Sequence, residues 1–529
     1  MHVPARAFAV TLVFLLSHAT RAQVARTLIS PTPSEDGHFG HSVSGAGDVN
    51  ADGINDVIVG APREEVPPFG EAGKAHAFDG ATGTLLYSWV GSLADPWTQL
   101  GWSVSGAGDV DSDGHADLLI GAPFWGDWHN GQAYVCSGQN GGCMYVLDPS
   151  EPFEFEIFGW SVSEAGDLSG DGHDDVLVGA HGDYGSAGST YVFCGETGGL
   201  LAGLISPNAE YNGRFGFSVS GGGFVDDDGV PDIVVGAFWE DPGASPTDAG
   251  RAYVFSGQTW GVLHTLVSPN EEQRGQFGCS VSHVGDLDDD GRGEVIVGAP
   301  YEDGAGGASD AGRAYVFGGQ TGTVLYALTS PMELASGTFG WAVSGAGDAN
   351  GDGCPDMLVG APGEDSGSGA AGSGAAYVFS GNTGDLLHVL CSAAPVPGGE
   401  FGCSVSDVGD LDGDGLDEVV VGAPGEPGLY PAGAGRAYVF AFPPTMALTG
   451  ALVGGSVVRL CRRHGVLGLR GRQRRLLRTW VGSAVSTPLG DTSGGGAHVV
   501  QCGGCRRHGS QLDLPGTRGQ RLGRGHVFL

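Results

Sequence analysis

Seven near-copies of one 24-residue string constrain this chain more than any other feature. Residues 39–62 read FGHSVSGAGDVNADGINDVIVGAP, and related strings begin at Leu100, Phe158, Phe215, Phe277, Phe339 and Phe401. The starts are 61, 58, 57, 62, 62 and 62 residues apart. Self-similarity at a fixed period signals one supersecondary unit repeated, each burying its apolar face against the next. After each string comes a variable loop, then an A-Y-V-F-type run such as Arg251–Phe255. A Gly-containing turn follows, then a further apolar run such as Val262–Val267. Short apolar runs bounded by Gly, Asp, Asn and Pro are strand and turn signals, and no helical period separates them. The expected unit has four strands: F-G-x-S-V-S, V-I-V-G-A-P, A-Y-V-F and L-L-x-x-L. Four strands per unit in a closed array predict an all-β fold, a seven-bladed β-propeller of antiparallel blades.

The ends of the array predict how the ring closes. Most repeats finish in a strand followed by Ser-Pro, as in Leu266-Val267-Ser268-Pro269. Residues 24–31, VARTLISP, are such a fourth strand with no first three before it. The seventh repeat stops after Arg436–Phe440 at Phe442-Pro443-Pro444 and lacks its own fourth strand. Residues 24–31 are therefore expected to supply it, closing the ring near residue 445.

Between the first two strands lies D-x-[DNS]-x-D-G-x-x-[DE]. Oxygen ligands at alternating positions, Gly at the sharp turn and a terminal carboxylate are what a loop wrapping a hard cation needs. The first loop offers Asp48, Asn50, Asp52, the backbone carbonyl of Ile54, and Asp56. The second offers Asp109, Asp111, Asp113, His115 through its carbonyl, and Asp117. The third offers Asp167, Ser169, Asp171, His173 and Asp175, a hydroxyl replacing one carboxylate. Asp286, Asp288, Asp290, Arg292 and Glu294 form the fifth set, and Asp348, Asn350, Asp352, Cys354 and Asp356 the sixth. Asp410, Asp412, Asp414, Leu416 and Glu418 form the seventh. In the fourth, Phe224 stands where the first Asp belongs, leaving Asp226, Asp228 and Asp232, so that site is expected to be weak or empty. Good turn-forming by Asp and Gly explains one such loop but not three spaced acids repeated along the chain. The expected cofactor is Ca2+, several ions in a structural role.

The Phe-Gly opening, the Asp-rich loop and the Gly-Ala-Pro close resemble the FG-GAP repeat of integrin α-subunit heads and bacterial surface proteins. The resemblance covers residues 24–445. It implies adhesion or ligand binding, with calcium loops on one face and a protein or glycan ligand on the other. Phe124, Trp125, Trp128, Phe238 and Trp239, in loops after Gly-Ala-Pro, are the candidate ligand-binding residues. Such aromatics stack on sugars or anchor a protein, or else pack between blades. No G-x-S-x-G, H-E-x-x-H or P-loop occurs, so a non-enzymatic module is expected. The alternatives are a module of a larger extracellular enzyme or surface assembly, or a carbohydrate-active enzyme.

Charge and the chain's ends complete the reading. Of 61 acidic and 24 basic residues, 59 and 11 fall before residue 446, a balance that argues against a nucleic-acid partner. Arg6, the apolar run Ala7–Leu16 and Thr20-Arg21-Ala22 read as a signal peptide over residues 1–22, implying a secreted or cell-surface protein with no membrane span. Cys136 and Cys143 flank a hairpin turn and can pair after export. Residues 446–529 are Arg-rich and carry Cys-Arg-Arg-His-Gly twice, at Cys461 and Cys505. Read one base later, one codon choice for that string resembles the calcium loop. A frameshift through further repeat material is therefore expected, the alternative being a basic tail.

Overall fold

The computed structural model describes residues 22–443 except short loop segments at 68–69, 92–96, 127–128, 150–155, 183–186, 242–245, 366–368 and 429–431. Strands at 451–453, 456–458, 462–463 and 466–467 are also described. The segment expected to be a signal peptide, apart from Ala22, and most of the 446–529 tail lie outside the described residues. Within the tail, Ala451–Val453 pairs with Ser456–Val458 and Arg462–Arg463 with Val466–Leu467.

Arg21–Pro444 form one compact unit. Its strands make seven four-stranded sheets, six of them in simple sequence order. The first blade is typical: Ser42–Gly47, Asp56–Ala61, Lys74–Phe78 and Leu85–Val90, each antiparallel to the one before. Second strands such as Asp56–Ala61 are buried along their whole length, which their run of Val, Ile and small residues permits. Outer strands alternate toward solvent, as Leu85–Val90 does.

The seventh blade is built from both ends of the unit. Gln23–Leu28 pairs antiparallel with Arg436–Ala441, from Gln23 opposite Ala441 to Leu28 opposite Ala437. The strand ends at Leu28, because Ser30 turns away to bond Glu64 of the first blade. First strands of neighbouring blades touch in an unbroken cycle, and a single bridge recurs at every joint, from Gly73↔Leu100 round to Phe39↔Gly435.

The core lies between blades. Seven apolar clusters occupy the seven joints. The closing one sets Leu28, Phe39, Val43 and Val59 against Val408, Leu411, Val420 and Val439. Serines of F-G-x-S-V-S stitch the joints: Ser42 Oγ accepts from Val104 N at 3.0 Å, and Ser404 Oγ accepts from Val43 N at 2.8 Å. The Gly-Ala-Pro glycine is required because the next blade's backbone passes over it; a Cβ on Gly422 would sit 1.9 Å from Gly40 O.

In five of the seven blades a buried Glu follows the Gly-Ala-x turn and ties it to the third strand. Glu240, Glu302, Glu364 and Glu426 are buried, and each accepts the hydroxyl of a Tyr from its blade's third strand: Tyr253, Tyr315, Tyr377 and Tyr438. In the first blade His76 and Lys74, the chain's one lysine, take the tyrosine's place. Lys74 Nζ lies 2.9 Å and His76 Nε2 3.2 Å from the carboxylate of Glu64. Burial alone would raise the Glu64 pKa, but these partners outweigh it and hold the group down at about 2.

Candidate metal sites and the aromatic mouth

Each Asp-rich loop is a turn whose backbone N–H groups pin the carboxylates. In the second blade, Asp113 N and Gly114 N donate to the two oxygens of Asp109, each at 3.0 Å. Asp113 N also donates to Asp111, and His115 N to Asp113 at 2.9 Å. The first, fifth and seventh loops repeat this set around Asp48, Asp286 and Asp410. The sharp turn needs a left-handed residue, and Gly53 supplies it with φ of 89°.

The terminal acid opens the second strand and is buried in every blade. Val110 N and Gly138 N hold the two oxygens of Asp117 at 3.0 and 2.9 Å. Burial, reinforced by the neighbouring loop carboxylates, pushes Asp117, Glu294, Asp356 and Glu418 up to about 7, and burial with the Asp79 charge nearby pushes Asp56 to about 6. Asp175 and Asp232 shift the same way. Buried carboxylates facing other carboxylates are what a cation relieves.

Three loops bring their acids together as oxygen clusters: Asp109, Asp111 and Asp117; Asp286, Asp288 and Asp290; Asp410, Asp412 and Glu418. In each the ligand atoms lie within 4.8 Å of one another, close enough for one ion. Glu418 Oε1 is buried with no hydrogen-bond partner and so fits a cation directly. The first and sixth loops use amides at the third position. Asn50 Oδ1 accepts from Asp52 N at 2.9 Å, whereas Asn350 turns its NH2 onto Asp356 at 2.9 Å. The third loop is a mixed cluster of Asp171, Asp175 and Cys194.

The fourth loop is different in kind. Phe224 is 48% exposed, and Asp226 and Asp228 are held as in the other loops. Arg292, from the next blade, forks onto Asp227, its Nε 3.2 Å from Oδ1. A guanidinium of the next blade is thus paired with an exposed acid of the one loop whose first ligand is replaced, by Phe224.

Side chains at the seventh loop position, selected in the sequence for their carbonyls, bridge to the preceding loop. His115 Nδ1 lies 2.8 Å from Val49 O, His173 Nδ1 2.9 Å from Val110 O, and Cys354 Sγ 3.4 Å from Leu287 O. Leu416 and Ile54 pack in apolar clusters at their own joints.

At the other end of the second strands, aromatic rings of four successive blades form a continuous arc. His41–Trp102 and Trp102–Trp160 are 4.5 and 4.6 Å apart, and Trp160–Phe217 5.4 Å. These occupy the x of F-G-x-S in successive repeats, a position the sequence reading did not single out. Its signal was the change from blade to blade at one fixed place. With Trp341 they line a cavity of about 650 Å³. Of the residues expected in this region, Phe124 packs edge-on against Trp102 at 5.4 Å. Phe238, only 7% exposed, lies 4.3 Å from Phe217 of its own blade. Trp239 is half-buried and carries the Arg214 guanidinium 4.9 Å over its ring. Trp125 is half-buried in its turn, and Trp128 lies outside the described residues. Cys136 and Cys143 are disulfide-bonded across their hairpin, while Cys279 and Cys403 are free.

The FG-GAP repeat family matches residues 39–78, 100–136, 158–193, 280–317, 339–379 and 404–440, six of the seven blades. Residues 22–443 form an FG-GAP repeat β-propeller. The fourth blade, with Phe224, falls outside the matched segments. This propeller is similar to integrin alpha-5 of Xenopus laevis, 29% identical over 282 residues, covering 49% of this chain and 25% of that protein. It is 30% identical to integrin alpha-V of Gallus gallus over 224 residues, 39% of this chain and 21% of the relative. It is 35% identical to human integrin alpha-IIb over 166 residues, 27% and 15% of the two chains. The chain thus spans a quarter or less of the length of these relatives. Among the described residues, no helix is long and apolar enough to cross a membrane.

Proposed function

We propose that residues 23–445 act as a secreted or cell-surface, calcium-stabilised module that binds a protein ligand without catalysing a reaction. In this reading residues 1–22 are a removable signal peptide and 446–529 are not part of the folded module. Calcium suits the loops because their ligands are hard oxygens at alternating positions, with a buried carboxylate oxygen of Glu418 otherwise unpartnered. The cation holds the loop closed and relieves the repulsion between its acids; it takes no part in chemistry.

The observation that carries the binding role is the aromatic mouth. A cavity of about 650 Å³ walled by Trp102, Trp160, Phe217 and Trp341 offers large rigid faces, with Trp341 37% exposed. Such faces anchor protein side chains and contribute most of the energy of small interfaces. The mouth lies at the end of the blades away from the calcium loops, so metal would support the site without touching the ligand. The test is a panel of extracellular proteins and an array of glycans probed with wild type, Trp102→Ala and Trp160→Ala. Binding to a protein that either substitution weakens tenfold or more supports the reading. Binding that survives both substitutions, or that occurs only to glycans, overturns it.

A further inference from the structure

Blade 4 departs from the other six over residues 222–224, and a cavity opens there. After the F-G-x-S-V-S segment comes Gly45, Gly106, Gly221 or Gly345 in four blades, and Glu164, His283 or Asp407 in the rest. The next residue is Ala or Val in six blades, buried in each, but in blade 4 it is Gly222, which is exposed. Other blades place a left-handed residue one position later, as at Gly47 and Gly285; in blade 4 it is Gly222 itself, with φ of 81°. No rung forms at Gly221, between Ser220↔Val234 and Gly223↔Asp232, and Phe224 turns outward. The cavity measures about 310 Å³, and its walls include Glu164, Gly222, Phe224, His283, Asp286 and Arg292.

Two polar side chains in these walls lack partners. Neither ring nitrogen of His283 makes a hydrogen bond, though both are shut off from water. The ring lies against Gly223 and feels the Asp232 backbone without completing a bond to it. Among the described residues the Glu164 carboxylate meets no donor, only the repulsion of Asp174. Groups left unpaired in this way cost stability that a ligand can restore.

We propose that this cavity binds an organic cation, an ammonium or guanidinium group that donates hydrogen bonds to Glu164 and to an imidazole nitrogen of His283. The His283 ring turns off Gly223 to present that nitrogen, and the Phe224 ring offers its face to the charge. The sign follows from the walls. Arg292 is paired with Asp227 and Asp286 belongs to a metal loop, so Glu164 is the charge left uncompensated. The proposal does not depend on calcium, since a bare Asp286 only adds negative charge. At about 310 Å³ the cavity is at the small end of ligand sites, enough for a free amine or for one basic side chain of a partner protein.

The test titrates agmatine, and separately a blocked pentapeptide with one arginine among glycines, into the full chain in saturating calcium, reading heat. Butyrate and the same peptide with citrulline are the controls. The expected result is one cation site per chain and no binding of either control. Agmatine binding identifies a free amine as sufficient, and binding of the arginine peptide alone assigns the site to a partner's side chain. His283→Gly and Glu164→Gly install the residue that four other blades carry, so the ring should still close, and each should weaken binding tenfold or more. Glu164→Gln makes the same test without touching the backbone. Asp407→Gly is the same change outside the cavity and should leave the affinity unchanged. Failure of both cations to bind, equal binding of a control, an affinity unmoved by His283→Gly or by the Glu164 variants, or an equal loss in Asp407→Gly overturns the proposal.

Discussion

Removing calcium should lower the melting temperature of the protein by an amount the structure sets. Blade 4 lacks its first acid and the blade-3 loop has Ser169 in place of a carboxylate or amide, which leaves five loops with a full ligand set for calcium. Extracellular calcium modules bind at roughly 0.1–1 mM. At 1 mM calcium each site then adds about 0.4–1.4 kcal/mol, the free energy of a ligand that binds only the folded state. Five sites give about 2–7 kcal/mol if they act independently. Unfolding entropy near 2.1 cal/mol/K per residue makes about 0.9 kcal/mol/K for roughly 420 residues. The midpoint should therefore fall by about 2–8 °C when EDTA replaces 1 mM calcium. Differential scanning calorimetry at fixed pH and ionic strength is the assay, with magnesium as the comparison. A midpoint that EDTA does not move, or that equal magnesium raises as far, refutes the loops as calcium sites and leaves the propeller standing.

Three further outcomes follow from particular residues. Gly422→Ala forces a Cβ to 1.9 Å from Gly40 O at the closing joint and should cost about 1–3 kcal/mol or more, read as a lowered urea midpoint. In EDTA the terminal loop acids have folded pKa values near 6–7, above their unfolded values, so the folded state binds more protons. The stability these acids contribute without metal should be fully present below about pH 4 and be lost as pH rises from there through 7, and the gain from calcium should grow over the same range; denaturant midpoints across pH with and without calcium test both signs. Phe224→Asp together with Arg292→Ala restores the missing acid and removes the guanidinium paired with Asp227 of the same loop, and should add one calcium ion per chain by equilibrium dialysis.

Strands and ring closure were legible because each depends on a short, repeated string: F-G-x-S-V-S and V-G-A-P recur with the same spacing, and VARTLISP has no other place to go. The loops were legible because cation ligation demands alternating oxygens. What the sequence hid was contact between repeats. Glu302 reads as one more loop acid until the fold puts it under Tyr315. His115 and Cys354 were chosen for their carbonyls, and only the ring sets their side chains on the loop before. Cys194 lies 23 residues from Asp171, so no local spacing announces the pair. The aromatic mouth needs the inner strands of consecutive blades brought side by side before His41, Trp102 and Trp160 become neighbours.

The seventh blade also imposes an order in time. Leu28 pairs with Ala437, so a strand among the first made waits for one of the last. Until synthesis reaches Arg436–Ala441, six blades can fold and stack, but the first-strand circle stays open and Gln23–Leu28 has no partner. An interrupted chain would expose the apolar faces of its two terminal blades, a mark by which proteases could distinguish it from a finished ring. Completion and stability thus arrive in one step, and a single non-covalent strand reports that the whole array has been made.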